Sequence, residues 1–365
     1  MNDIAELRQF IVGHLRAQSI PDERYAALLA RIRTDEDGTP GSWARELTEE
    51  GDRLAAREKY LEACQFYTMA RFPYPDGAAR RTAQDRGLAA FDAWRRTAPV
   101  PISPLDVPMP EGRVRCWTTG LAADRPRPLL IFLGGIVSTK EQWAPLLGQI
   151  AALGMAGLVT ELPGVGENTL PYDADSWTML PRLIDAVGPA ADTAATYVVA
   201  LSFSGHLALR AAPEDSRIKG IVGAGTPVLD FFTDTAWQRK LPRITADTLA
   251  RLTRTPVDLL PDLLPGWALT TTHLQAVRAA TGHVTSRRDE IVPYADAQLL
   301  RRHLRGLRTV EHDDVHGSPR HLTETRLWTF LTLLRMRGVH GPERTALHRA
   351  LLEERSRKRA QEAAA

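Results

Sequence analysis

The run Tyr197-Val198-Val199-Ala200-Leu201-Ser202-Phe203-Ser204-Gly205-His206-Leu207-Ala208-Leu209-Arg210-Ala211-Ala212 decides the fold. A β-branched apolar stretch stops at Ser202, and a helical stretch rich in small residues begins at once. No turn sequence separates them. A strand that becomes a helix within about two residues puts the corner residue on a sharp, strained bend with its side chain exposed. The positions two before and two after that corner lie where strand and helix nearly touch, so they must be small; glycine is the usual choice. Ala200 and Ser204 meet the size requirement without glycine. Placing Ser204 at the corner would put His206 where only a small residue fits, so Ser202 is the candidate nucleophile. The alternative is an ordinary strand-to-helix junction with Ser202 as the N-cap.

The partners of Ser202 argue for the first reading. A serine hydroxyl is almost fully protonated near neutral pH and needs a base to attack. In a sheet of this kind the acid and the histidine follow the nucleophile, each in a loop after a later strand. Ser286-Arg287-Arg288-Asp289-Glu290-Ile291-Val292-Pro293 starts where a strand over Gly282–Ser286 ends, and Val292-Pro293 opens a helix. Asp289 is the orienting acid and Glu290 its rival. Glu311-His312-Asp313-Asp314-Val315-His316-Gly317-Ser318 lies just past the last strand. His316, beside a flexible glycine, is the general base; His312 falls at the strand end, where the sheet fixes its side chain. Taken singly, Asp289 also reads as a helix N-cap and His316 as a loop histidine. An elbow, an acid and a histidine in this order and at these element ends together point to a triad. An oxyanion hole needs two backbone N–H groups. Phe203 supplies one, and the loop Leu133-Gly134-Gly135-Ile136 the other, through Gly135 or Ile136. Those glycines lack the G-K-[ST] of a phosphate loop, so nucleotide binding is not expected.

Outward from this centre, strands and helices alternate from Arg113 onward, with strands at Leu129–Leu133, Gly157–Glu161, Tyr197–Leu201, Ile218–Ala224, Gly282–Ser286 and Arg308–Glu311. This is an α/β fold with a mostly parallel central sheet flanked by helices. Residues 1–98 read as helix only and form a cap or packing domain, with one long helical run from about Leu47 to Tyr67. Residues 99–110 hold five prolines and no strand or helix pattern, which marks a boundary. Residues 99–340 form the core. Residues 226–278 are helical and proline-broken and sit where a lid is often inserted; Phe231, Trp237 and Trp267 are the candidate substrate-binding aromatics there. Residues 341–365 form a charged helical tail frayed at Ala363-Ala364-Ala365.

The chain has 365 residues, 44% of them hydrophobic and 25% charged, with a net charge of +2. That balance fits a soluble globular protein and gives no field for nucleic acid or membrane binding. Cys64 and Cys116 make neither a disulfide framework nor a zinc site, so a reducing compartment and a cytoplasmic location are expected. The start Met1-Asn2-Asp3-Ile4-Ala5-Glu6 does not read as a signal peptide, and no stretch approaches the roughly 18 apolar residues of a membrane span. No metal and no cofactor are expected; the partner is a small-molecule substrate.

Gly134-Gly135-Ile136-Val137-Ser138-Thr139-Lys140-Glu141 resembles the G-G-x-D-S-x-K-E motif of the FrsA-like α/β-hydrolases, a group that includes dihydroxypseudooxynicotine hydrolase and fungal polyketide-shortening hydrolases. Pro163-Gly164-Val165-Gly166-Glu167 resembles the group's P-G-x-G-E loop, Arg287–Pro293 its acid loop, and Gly51–Phe72 its N-terminal helical domain. The resemblance covers most of the chain after about residue 45. It departs from the pattern at Val137, where the family has Asp, and at Ala200 and Ser204, where it has elbow glycines. It implies the α/β-hydrolase fold, a homodimer, and cleavage of an ester or C–C bond; relatives in bacterial polyketide pathways eliminate acetate. The residues fit a serine hydrolase acting on an ester or acyl bond of a small, fairly apolar, secondary-metabolite-like molecule. The competing readings are a lyase or C–C hydrolase in which His316, or a Ser202–His316 dyad, abstracts a carbon-bound proton, and a non-catalytic binding protein, which would have no need of all three triad groups.

Overall fold

The computed structural model describes residues 2–363, so Ala364 and Ala365 of the expected frayed end lie outside the described residues. The chain opens with helices α1 (Ile4–Ala17), α2 (Ala26–Arg31), α3 (Trp43–Ala55), α4 (Tyr60–Arg71) and α5 (Ala78–Arg95). The single helical run expected over α3 and α4 is broken at Arg57–Lys59, where Glu58 has a φ of 58°. A left-handed residue cannot continue a right-handed helix, and the reversal lets α4 fold back on α3. Gly51 permits their contact: a Cβ there would lie 2.5 Å from the Tyr67 ring.

The strands that follow are β1 (Ser103–Met109), β2 (Gly112–Thr119) and β3 (Pro128–Leu133). After helices α6 (Lys140–Trp143) and α7 (Leu147–Ala152) come β4 (Ala156–Thr160), α8 (Met179–Val187), β5 (Asp192–Leu201), α9 (Phe203–Ala211) and β6 (Ile218–Ala224). An insertion of short helices leads to β7 (Ala280–Ser286): α10 (Asp230–Thr233), α11 (Thr235–Gln238), α12 (Arg243–Thr253), α13 (Leu260–Leu263) and α14 (Thr271–Ala276). The chain then runs through α15 (Tyr294–His303), β8 (Arg308–His312), α16 (Leu322–Met336) and α17 (Pro342–Ala363). The sheet has eight strands in the order β1-β2-β4-β3-β5-β6-β7-β8. Only β1–β2 and β2–β4 pair antiparallel; from β4 to β8 every pairing is parallel.

Strand β1 corrects the reading of residues 99–110 as patternless. Pro104 and Pro108 lie inside it. They are tolerated because β1 is the edge strand, where a missing N–H can face away from the ladder.

Strand alternation divides the interior. Leu130 and Phe132 of β3 join Tyr197 and Val199 of β5 in a core shared with α1–α5 and α16. Leu129, Ile131 and Leu133 join Val198 and Ala200 in a second core under α8, α9 and the insertion. The N-terminal helices thus bury the apolar face of the sheet directly, and Phe91 of α5 packs its ring 4.9 Å from that of Trp117 in β2. Cys64 and Cys116 are buried and free. No helix among the described residues is long and apolar enough to cross a membrane.

Candidate active site

The centre of the sheet carries the bend expected at Ser202. Its backbone sits at φ 57° and ψ −126°, and α9 starts at the next residue. Four hydrogen bonds hold this strained corner. Ser202 N–H donates to Ala224 O at the end of β6 (2.7 Å), and Gly205 N–H donates to Ser202 O (2.9 Å). Ser204, in the usual glycine place, donates its hydroxyl to Leu201 O (2.8 Å) and to Leu133 O (3.2 Å), tying the ends of β5 and β3. The glycine that the bend does need is Gly205, where a Cβ would fall 2.2 Å from Thr226 Oγ1.

The Ser202 hydroxyl does not cap α9. It lies 3.0 Å from Nε2 of His316, and Nδ1 of His316 lies 2.8 Å and 3.0 Å from the two oxygens of Asp289. Asp289 is not the N-cap of α15, whose cap is Pro293; its Oδ1 instead accepts the N–H groups of Ile291 (2.9 Å) and Val292 (2.8 Å) in the loop before that helix. Glu290 is not the acid at the ring; its carboxylate accepts the His316 backbone N–H (2.9 Å) and so fixes the loop. His312 is not in the cluster. It ends β8, stacked at 4.2 Å on His321.

Burial lowers the affinity of His316 for a proton, but the charge and hydrogen bond of Asp289, helped by Glu290, outweigh it, so its pKa stands above the ordinary 6.5. An imidazole held this way keeps Nδ1–H on Asp289 and leaves Nε2 to accept from Ser202. Gly225 leaves room for the ring: a Cβ on it would be 2.7 Å from His316 Cε1.

Two of the expected oxyanion residues, Phe203 and Gly135, lie beside Ser202. Phe203 is the first residue of α9, so its N–H has no partner within the helix. A Cβ on Gly135 would lie 3.2 Å from the Ser202 Cβ, which brings the backbone of Gly135-Ile136 directly against the nucleophile position.

This chain of contacts, at the carboxyl end of a parallel sheet, is the arrangement of an α/β-hydrolase. The family described as esterase FrsA-like matches residues 39–313. The chain belongs to the FrsA-like esterase family. It is 24% identical to Esterase FrsA of Vibrio vulnificus (strain YJ016) over 285 residues, 71% of this chain and 68% of that protein. It is 27% identical to the α/β hydrolase ucsC of an Acremonium species over 271 residues, 66% of this chain and 53% of that one. Among solved structures, wild-type AbyA5 superposes with a TM-score of 0.93 at 49% identity, spanning 96% of this chain and 99% of that one. The 2,6-dihydroxy-pseudo-oxynicotine hydrolase shares the fold, with a TM-score of 0.70 at 19% identity over 88% of this chain and 94% of that one. The chain is therefore an α/β-hydrolase-type enzyme.

The two FrsA-like motifs meet through Lys140. Its side chain is fully buried, with Nζ 2.7 Å from Glu167, 2.9 Å from Glu141 and 3.3 Å from Glu161. Glu161 also accepts the backbone N–H groups of Lys140 (2.9 Å) and Glu167 (2.6 Å). It fills the place a side chain at Gly166 would need, since a Cβ there would lie 2.3 Å from Glu161 Oε2. Burial raises the Glu161 pKa to about 7 against the pull of Lys140. The loop from Gly134 to Thr139 is thus fixed at one end by a buried charge cluster.

The insertion aromatics of this FrsA-like chain lie packed around the site's supporting elements. Phe231 has 0% exposure and lies edge-on to Phe203, ring centres 5.0 Å apart. The reason is Asp296. This buried carboxylate accepts the N–H groups of Val228, Leu229, Asp230 and Phe231 at 2.8–3.2 Å and draws the start of α10 down into the core. Trp267 is buried against Tyr172, and its carbonyl is 2.8 Å from His206 Nε2. Trp237 is half-buried and donates Nε1–H to Ile291 O (2.8 Å). The Phe231 ring thus packs on the elbow, and Trp237 on the acid loop.

Two residues near the site carried no sequence signal beyond helical spacing. His14 of α1 is close enough to His316 for the two to repel when charged; burial first, then Arg71 and His316, push its pKa down to about 4. Arg71, at the end of α4, reaches the loop after β3. Helix α12 reaches the same N-terminal region: its Ile244 N–H donates to Glu6 (3.0 Å), and its Arg251 covers the Tyr74 ring at 5.0 Å. The N-terminal region and the insertion therefore touch each other.

Proposed function

We propose that the chain is a serine hydrolase that cleaves an ester or acyl bond of a small, fairly apolar molecule through Ser202, His316 and Asp289. The observation that carries the reading is the unbroken contact from Ser202 Oγ through His316 to Asp289, with Ser202 alone held on the strained corner. Strain of this kind costs of order 1–3 kcal/mol and persists where it serves a task. Here it aims one hydroxyl at its base.

In the forward step His316 Nε2 takes the Ser202 proton as Oγ bonds to the acyl carbon. The carbonyl oxygen becomes an oxyanion facing the N–H groups of Phe203 and of Gly135 or Ile136. The acyl–oxygen bond then breaks, and His316 gives its proton to the departing alkoxide. Water, deprotonated by His316, repeats the sequence on the acyl-enzyme and frees Ser202. Asp289 holds the imidazole in the tautomer these transfers need and stabilises its charged form.

The test is turnover by Ser202→Ala, His316→Ala and Asp289→Asn on a panel of aryl and acetyl esters, with products identified by mass spectrometry. Hydrolysis predicts large losses in all three, several orders of magnitude for Ser202→Ala and His316→Ala. A Ser202→Ala enzyme that keeps most of its rate while His316→Ala loses it would overturn the reading and assign proton abstraction by His316, as in an elimination.

A further inference from the structure

We propose that Arg71, supplied by the N-terminal helices, is a positioning residue that sets the geometry of the oxyanion hole. The inference rests on the hydrolase reading above and adds to it a part for the helical region in catalysis.

The argument starts from an oddly placed charge. The Arg71 side chain is buried, with 2% of the residue exposed. A buried guanidinium normally meets a carboxylate, because an unpaired charge in a dry interior is costly. The hydrogen-bond partners of Arg71 are instead carbonyl oxygens. Nη1 donates to Pro73 O at 3.3 Å, Nη2 donates to Val137 O, and Nε is buried without a partner. Glu161 and Glu141 act on it only from further away, and burial lowers its pKa to about 10.

What this charge holds is the loop that matters. Val137 O belongs to the segment between β3 and α6, directly after Gly135 and Ile136. That segment is tightly packed: Ser138 N–H donates to Gly135 O (3.1 Å), and a Cβ on Gly134 would lie 2.5 Å from the Ser138 side chain. Its far end is fixed by Lys140. Its middle is reached from across the domain boundary by Arg71 alone among the hydrogen bonds to Val137. A charged donor on a carbonyl makes a stronger bond than a neutral one, and it anchors the Val137–Ser138 peptide, two peptide units beyond the one that carries the Ile136 N–H. Oxyanion stabilisation depends on donors lying 2.7–3.1 Å from where the charge develops, so small displacements of this loop lower the rate without touching substrate affinity.

The test compares wild type, Arg71→Met and Arg71→Lys in two assays. One is reaction with a fluorophosphonate probe, whose phosphoryl oxygen gains charge as Ser202 Oγ attacks. The other is the kcat and KM of a p-nitrophenyl ester. Arg71→Met should slow phosphonylation and lower kcat together by about 10- to 100-fold, with KM changed by less than about threefold. Arg71→Lys keeps the charge but loses the fork and should fall between, by about fivefold or more. If Arg71→Met does not fold, Arg71→Lys carries the comparison alone. A wild-type enzyme labelled at Ser202 with variants labelled equally fast, whatever their melting temperature, would overturn the positioning role and leave the hydrolase reading standing. A wild-type enzyme that the probe does not label would overturn both.

Discussion

Replacing Lys140 by Met removes one cation from among three carboxylates and leaves the fold otherwise filled. Lys140 has 0% exposure, Glu161 0% and Glu141 4%, with ion-pair distances of 2.7–3.3 Å. Breaking a buried pair by deleting one partner costs about 3–5 kcal/mol, because a buried charge is left uncompensated. The protein can escape that cost by protonating Glu161, whose pKa burial already raises from 4.5 to about 7. At about 1.4 kcal/mol per pH unit, holding a proton on a carboxyl of ordinary affinity costs about 5 kcal/mol at pH 8 and about 1.5 kcal/mol at pH 5.5. The escape is therefore of little use at pH 8 and cheap at pH 5.5. A carboxyl with a raised folded pKa binds its proton more tightly when folded, so stability falls as pH rises from the ordinary value to the raised one. Lys140→Met extends that window upward. Urea unfolding followed by tryptophan fluorescence should show a loss of about 3–5 kcal/mol at pH 8 that shrinks to about 1–2 kcal/mol at pH 5.5, with the m-value unchanged. An unchanged midpoint at pH 8, or the same loss at both pH values, would refute the reasoning.

Three other outcomes follow from the same geometry. Activity requires a neutral His316, so it should fall as pH drops through a pKa above 6.5; in Asp289→Asn, kcat should fall by about 10⁴ and the inflection of the residual activity should move to lower pH, whereas an unmoved inflection would contradict the Asp289 pair. Gly225→Ala puts a methyl group 2.7 Å from His316 Cε1 at a residue with φ +56°, so kcat should fall by about 10- to 100-fold through a displaced imidazole, read by steady-state kinetics beside circular dichroism. Gly51→Ala forces α3 away from Tyr67 and should cost about 1–3 kcal/mol of stability, while specific activity per folded molecule is kept; urea unfolding with an activity assay checks both.

The parts of the molecule that follow local rules were legible in the sequence. The strand-to-helix switch at Ser202, and the acid and histidine just past later strands, carry their positions in the order of residues, because parallel strands deliver their loops to one edge. The size rule also excluded Ser204 from the corner: it lies inside α9, and His206 is buried with Nε2 2.8 Å from Trp267 O. What was not legible depends on partners far away in sequence. Strand β1 hides behind two prolines that only an edge position permits. The break at Glu58 depends on α4 packing back on α3 across Gly51. The burial of Phe231 depends on Asp296, on a later helix, which gathers four N–H groups. Arg71 and His14 looked like ordinary helix residues; only the docking of the N-terminal helices brings them to the site.

The central claim is that Ser202 forms a covalent acyl intermediate. The direct measurement is intact-protein mass after rapid acid quench during turnover of p-nitrophenyl acetate, with the modified peptide mapped. The account predicts a protein one acetyl group heavier, the group on Ser202, its formation matching the burst of nitrophenol, and no adduct in Ser202→Ala. Continued turnover with no adduct at any quench time, or an adduct on another residue, would contradict it.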